Sequence, residues 1–167
     1  MNYTAAVITV SDKASQGLRW DTSGPAVCTL LAEHGWQVVF TAVVPDEMEK
    51  ITQILKVCSD EKDISLILTT GGTGFSPRDI TPEATLAVAD RLAPGIAEAI
   101  RAESLKITPR AMLSRAASVI RGKTLIVNLP GSVKACSESM DVFLNQMPHA
   151  IEILRNVPQD CGMPAKN

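Results

Sequence analysis

At 167 residues, with 46% apolar and 20% charged residues, the chain has the length and balance of a single soluble globular domain with a substantial core. A formal net charge of -2 argues against a broad nucleic-acid or membrane-surface patch, because such binding neutralises many phosphates; a local cationic pocket stays compatible with it. The start, Met1 to Ile8, has no basic leader, no apolar run approaches the ~18 residues of a membrane span, and Cys28, Cys58, Cys136 and Cys161 form no C-x-x-C pair. With His34 and His149 far apart, a zinc framework has no support, and reduced thiols in a cytoplasmic protein are expected.

In chain order, Tyr3 to Val10 reads as a strand buried on both sides. Ser23-Gly24-Pro25 opens a helix through Glu33, with Ser23 as its expected N-cap and Gly35 as its stop. Gln37 to Val44 is a second strand. Asp46 begins a helix to about Cys58, with Glu49 completing a capping arrangement. Ile64 to Thr70 is a third strand, followed by a helix capped by Thr81 with Pro82 at its first position. Ala93-Pro94-Gly95 interrupts that helix, after which Ile96, Ala99, Ile100 and Ala102 form an apolar face, and Glu98 and Arg101 sit close enough for a surface ion pair. Thr108-Pro109 starts a short helix. Ala117 to Ile120 and Thr124 to Asn128 form strands around the turn Arg121-Gly122-Lys123, and helices follow Gly131 and span Pro148 to Arg155.

Strands alternating with helices predict an α/β fold with a mostly parallel sheet covered on both faces. Ligands of such sheets bind beyond the carboxyl ends of the strands. Ser11-Asp12, Pro45-Asp46, Gly71-Gly72 and Pro130-Gly131 each follow an apolar strand and should therefore gather at one edge.

The densest signal lies between the third strand and its helix, in Gly71-Gly72-Thr73-Gly74-Phe75-Ser76-Pro77-Arg78-Asp79. Glycines leave backbone N–H groups uncovered for oxyanions, Arg78 offers a cation for phosphate, and Asp79 offers a carboxylate for metal or catalysis. The two common phosphate loops do not fit. No Lys follows these glycines as a P-loop requires, and a dinucleotide fingerprint begun at Gly72 and Gly74 would meet Pro77 where its third glycine belongs.

The string Thr69 to Thr85, TTGGTGFSPRDITPEAT, closely resembles the signature of the molybdopterin-binding family of MogA and MoaB type, which is related to the plant and gephyrin domains that adenylylate molybdopterin. The segments Ile8-Thr9-Val10-Ser11-Asp12 with Asp21-Thr22-Ser23-Gly24-Pro25, Val44-Pro45-Asp46-Glu47, and Asn128-Leu129-Pro130-Gly131-Ser132-Val133-Lys134-Ala135 extend the resemblance in the family's order. One departure is visible: Val133 stands where the family usually has proline.

The resemblance implies a single three-layer α/β/α domain over residues 1–157; the Pro- and Gly-bearing residues 158–167 are expected to form a flexible tail. It implies transfer of AMP from Mg-ATP to the molybdopterin phosphate, a homotrimer, and hand-over of the product to a molybdenum insertase. It carries Asp46 and Asp79 onto the family's essential acidic positions, as catalytic residues and Mg²⁺ ligands; Mg²⁺ prefers such hard oxygens. A turn-stabilising role for Asp79 and a capping role for Asp46 are the structural alternatives. Gly71, Gly72, Thr73 and Gly74 are expected to bind phosphate. Ser11 and Asp12 read equally as ligand contacts or as a helix cap and turn. Pro130, Gly131, Ser132 and Lys134 are assigned to the pterin's phosphate at a helix N-terminus, with a solvated surface lysine as the alternative for Lys134. Cys136 is expected to be a packing residue. A non-catalytic molybdopterin carrier of the same fold, and a nucleotide hydrolase, are the competing functions.

Overall fold

The computed structural model describes residues 3–156; the expected tail over 158–167, the Cys161 thiol and the last residue of the expected domain lie outside the described residues. A six-stranded sheet runs in the order β2-β1-β3-β6-β5-β4. Strands β1 (Thr4–Val10), β2 (Gln37–Val44), β3 (Leu66–Thr70) and β6 (Thr124–Leu129) are parallel, while β5 (Ser118–Arg121) and β4 (Arg91–Leu92) add antiparallel pairs at one edge.

Alternation along the central strands divides the core between the two faces. Ala5 and Val7, Leu66 and Leu68, and Leu125, Val127 and Leu129 join one cluster, packed under Val27 and Leu31 of α2 (Ser23–Glu33), Ile100 of α5 (Pro94–Ile107), Met140 and Phe143 of α6 (Val133–Phe143) and Ile151 of α7 (Met147–Leu154). Ala6 and Ile8, Ile67 and Ile126 point the other way, against Ile51 and Leu55 of α3 (Met48–Lys56) and Ala84 of α4 (Thr81–Ala87). Both faces are therefore apolar and both are covered, giving three layers. At the free edge, β2 alternates between exposed and half-buried residues because it has a neighbour on one side only.

Several local expectations change. Asp46 does not begin α3: the helix starts at Met48, Glu47 occupies the cap position without a side-chain bond, and the Asp46 carboxylate is engaged elsewhere. Thr81 is the first residue of α4 rather than its cap, a position held by Ile80, so Pro82 is second. Ser23 likewise lies inside α2, after Thr22; the Asp21 carboxylate accepts from the Gly24 N–H at 3.0 Å and serves as the cap. A short helix α1 (Asp12–Ser15) and the two-residue β4 were not expected. Since β4 separates α4 from α5, these are two helices and not one interrupted helix. On α5 the inward residues are Ala97 and Ile100, while Ala99 and Ala102 are exposed. Arg101 donates to the Ala116 carbonyl at 2.8 Å instead of pairing with Glu98. Gly35, at φ +80°, ends α2 as expected, and Thr108 caps the 3₁₀ turn Pro109–Leu113.

Candidate functional site

The connection from β1 to β2 runs through α2 on one face, and the return to β3 runs through α3 on the other. This reversal opens a crevice between the carboxyl ends of β1 and β3. Thr9 and Thr70 are paired there, so the chain leaves both strands side by side. Gly71 has φ +96°, and a methyl group on it would overlap the Val10 carbonyl oxygen. Gly72, at φ +65°, is pressed equally hard, between the Thr81 hydroxyl and Asp46 Oδ1, which would lie 3.0 Å from an added methyl. Only glycine meets both the dihedral and the space at these positions.

A cavity of about 230 Å³ opens over this turn, and Ser11, Asp46, Gly71, Gly72, Asp79 and Gly131 all line it. Arg19, Trp20, Asp21 and Thr22 form the wall toward α2. Thr73, Gly74 and Pro130 face a different cavity of about 300 Å³, bordered by Arg101, Ser104, Arg110 and Leu113. The glycine turn is thus a partition between two cavities.

Asp46 is 9% exposed. Its Oδ2 accepts the Asp12 N–H at 2.9 Å, and its own N–H donates to Asp12 Oδ1 at 2.9 Å, so the ends of β1 and β2 are tied reciprocally. Burial raises the Asp46 pKa; the Asp12 N–H opposes that shift, and the charges of Asp12 and Asp79 add to it. Asp79 closes a turn, with Oδ2 accepting the Ser76 N–H at 2.9 Å, while the side chain still borders the cavity. The turn-stabilising and cavity roles therefore coexist in one residue.

Asp12 and Arg78 are not among the residues lining the first cavity. Arg78 donates Nε and Nη2 to the two Asp12 oxygens at 2.9 Å each, a bidentate pair that holds the Asp12 carboxyl below its ordinary range. The Arg78 side chain is otherwise largely exposed. Ser11 accepts from the Ala14 N–H at 3.2 Å and caps α1. Ser132 caps α6 in the same way, through Ala135 N–H at 3.3 Å. Lys134 is 82% exposed and lies 3.7 Å from Glu138, one turn along. Cys136 is fully buried; its thiol donates to the Pro130 carbonyl at 3.0 Å, and burial pushes its pKa up, as suits a packing residue.

Two contributors were given no role by the sequence: Arg115 lies outside every motif, and Asn128 opens the Asn128–Ala135 segment of the resemblance. Arg115 donates its backbone N–H to Thr73 at 2.9 Å and Nε to the Gly74 carbonyl at 2.7 Å, while its terminal nitrogens reach the Asp79 carbonyl and the Glu83 carboxylate. It fastens both ends of the loop 73–79 to α4. Asn128, fully buried, donates to Thr69 and Thr85 at 2.9 and 2.8 Å and accepts from Ala117 N–H, holding the floor beneath the turn.

Among the described residues no group of three or more His, Cys, Asp or Glu side chains is placed to hold a metal ion. Asp46 and Asp79 supply two hard carboxylates to one cavity, the number that Mg²⁺ uses when substrate phosphates complete its shell. The buried Thr81 hydroxyl beside Gly72 has no partner of its own, which leaves a further oxygen at the same corner.

A family profile described as "Probable molybdopterin binding domain" matches residues 6–149. The chain is 44% identical to gephyrin of Dictyostelium discoideum, over 94% of this chain but only 23% of that protein. It is 46% identical to the molybdopterin adenylyltransferase of Haemophilus influenzae, over 81% of this chain and 70% of that one. Among solved structures, the molybdopterin biosynthesis enzyme MoaB of Thermus thermophilus superposes with a TM-score of 0.88 at 44% identity, covering 93% and 98% of the two chains.

Proposed function

The chain belongs to the molybdopterin-binding domain family, and from that premise we propose that it is a molybdopterin adenylyltransferase, moving AMP from ATP to the phosphate of molybdopterin. The observation that carries this reading is the meeting of Asp46, Asp79 and the left-handed Gly71-Gly72 turn in one cavity at the switch point of the sheet. A terminal oxygen of the pterin phosphate attacks the α-phosphorus of ATP, a P–O bond forms, the α–β bridging bond breaks, and pyrophosphate leaves.

Phosphoryl chemistry of this kind is mostly positioning and charge neutralisation, which is what the residues at hand supply. The turn offers backbone N–H groups to phosphate oxygens. The cavity wall carries the carboxylates of Asp21, Asp46 and Asp79 against the single cation Arg19, so a polyphosphate needs a counter-cation to enter. Asp46 and Asp79 would hold a Mg²⁺ ion, which would supply that charge. Arg115 keeps Asp79 in register with the turn. The second cavity, across Thr73 and Gly74, gives the other substrate a place from which to meet the same loop. Gly131, just ahead of the Ser132 cap of α6, also borders the first cavity.

Three unpaired cysteines among the described residues suit a reducing cytoplasm, and a molybdenum insertase is the expected recipient of the product. Among the described residues no helix is long and apolar enough to cross a membrane.

The test is a direct assay with molybdopterin and Mg-ATP under conditions that preserve the pterin. Adenylylated product with stoichiometric pyrophosphate supports the proposal. Tight pterin binding without ATP-dependent product selects a carrier, and ATP turnover without pterin selects a hydrolase.

A further inference from the structure

The wall of the first cavity ends in a side chain that phosphate chemistry does not call for. Trp20 borders the cavity and is 91% exposed, whereas Trp36 is 3% exposed and packs against Tyr3 at a ring-centroid distance of 5.3 Å. An indole carries roughly 150–250 Å² of surface that proteins ordinarily bury. Here the fold holds that surface out at the rim.

The holding is specific. On one side of Trp20 the chain is pinned by the Leu18 N–H to the Lys13 carbonyl at 2.9 Å. On the other, both Asp21 oxygens are fixed, by the Thr9 hydroxyl at 2.7 Å and the Gly24 N–H at 3.0 Å. Trp20 therefore sits on an anchored loop. No other aromatic side chain lines this cavity among the described residues; its remaining wall is made of hydroxyls, carboxylates, the Arg19 side chain, Val10 and small groups. A ligand with phosphates at the glycine turn and a flat ring at its other end would find one flat apolar surface to lie on.

Building on the reading of this cavity as a phosphate-binding transfer site, we propose that Trp20 is the stacking platform for the planar heteroaromatic ring of a phosphate-bearing substrate, with Arg19 as the cation beside it. Adenine and pterin share that chemistry. Stacking on an aromatic face tolerates either and contributes affinity without base-specific hydrogen bonds.

The experiment uses the full chain, with Trp20→Ala and Trp20→Phe as variants. Because Trp20 is exposed, both should fold, which circular dichroism checks. ATP, a reduced pterin monophosphate and inorganic tripolyphosphate are each titrated with Mg²⁺ present, by calorimetry and by tryptophan fluorescence with acrylamide as quencher. At least one ring-bearing ligand should shield Trp20 from acrylamide, and the pair of ring ligands identifies the source. Trp20→Ala should weaken that ligand about 5- to 150-fold, equivalent to ~1–3 kcal/mol, while Trp20→Phe keeps most of the affinity. Tripolyphosphate should bind all three proteins alike. Unchanged affinity for both ring ligands in Trp20→Ala overturns the proposal, as does an equal loss for tripolyphosphate. A fall in oligomer mass by light scattering on Trp20→Ala also overturns it, since Trp20 would then be a subunit contact. Transfer activity that survives with unchanged Trp20→Ala affinities sinks the stacking alone; Trp20-dependent binding without any product sinks the transfer alone.

Discussion

Asp46 and Asp79 border one cavity, yet their substitutions should separate stability from activity differently. Burial, with the charges of Asp12 and Asp79 adding to it, raises the Asp46 pKa above its ordinary 3.8, so ionisation of this group opposes folding. That penalty is absent below 3.8 and is complete once the pH has risen through the higher folded value. Asp46→Asn should therefore raise stability at neutral pH, a gain that vanishes below pH 3.8, while transfer falls more than ~10-fold, or ~1.4 kcal/mol in barrier. Asp79→Asn keeps an acceptor for the Ser76 N–H, so thermal unfolding should match wild type while transfer falls comparably. Wild-type transfer by Asp79→Asn at limiting Mg²⁺ would remove Asp79 from the mechanism. Arg115→Lys is a third case. One ammonium cannot serve Gly74, Asp79 and Glu83 together, so a loss of about 1–3 kcal/mol is expected, with faster amide exchange confined to 73–79. Unchanged exchange there would show that the loop is held by something else. The glycines and Asp79 are legible because they stand in adjacent letters, whereas Asp46, about 25 residues before Gly71, enters only through the family resemblance. Arg115 is not legible: it lies 36 residues from Asp79 and binds mainly carbonyls, which leave no trace in side-chain identity.

Elements built on long apolar runs read directly from the chain, as β1, β2, β3 and β6 do. Pieces that depend on tertiary context do not. β4 is two exposed residues, Arg91 and Leu92, and exists only because β5 offers an edge to pair with. The α3 start shifts because the Asp46 carboxylate finds the Asp12 N–H, a partner 34 residues away, before it can cap its own helix. The Val133 position reads the other way: the sequence shows an oddity that the structure makes harmless. Val133 is the first residue of α6 and is 41% exposed, and the preceding Ser132 is extended at φ -96°, ψ 143°. Proline suits that site, so Val133→Pro should stabilise by about 0.4–1 kcal/mol in denaturant unfolding, and a loss instead would mean that the Val133 N–H is in use. At the opposite edge, the Arg121 guanidinium holds Asp60 below its ordinary 3.8 while also reaching the Val88 carbonyl. The stabilisation is present above 3.8 and is lost as the pH falls through the lower folded value. Acid titration of stability should show the Asp60→Asn difference shrinking across that interval; a constant difference would assign the effect to packing.

Over the whole molecule, the α/β class and the gathering of strand ends follow from element order alone, whereas the division into two cavities is visible only once the loop 73–79 is folded back by Arg115. The expected homotrimer is to be checked by light scattering at micromolar concentration, where a stable monomer would count against it. The face at Ile96 and Ile100 is mostly spent inside the subunit, but Leu105, Ile107, Met112 and Leu113 remain exposed around the end of α5. The free edge of β2 has a consequence of another kind. Gln37–Val44 contains no charge and no proline, and Val39 and Val43 are exposed, so its one guard against strand addition is the register shift at Val39. Its only strand partner among the described residues, β1, must be met in parallel register, Thr4 opposite Gln37, across a long intervening loop and helix. Until that pairing forms, a nascent chain presents a self-complementary ribbon to its neighbours. Yield on overproduction should accordingly be governed by chain concentration and temperature during synthesis, well before any property of the finished fold comes into play.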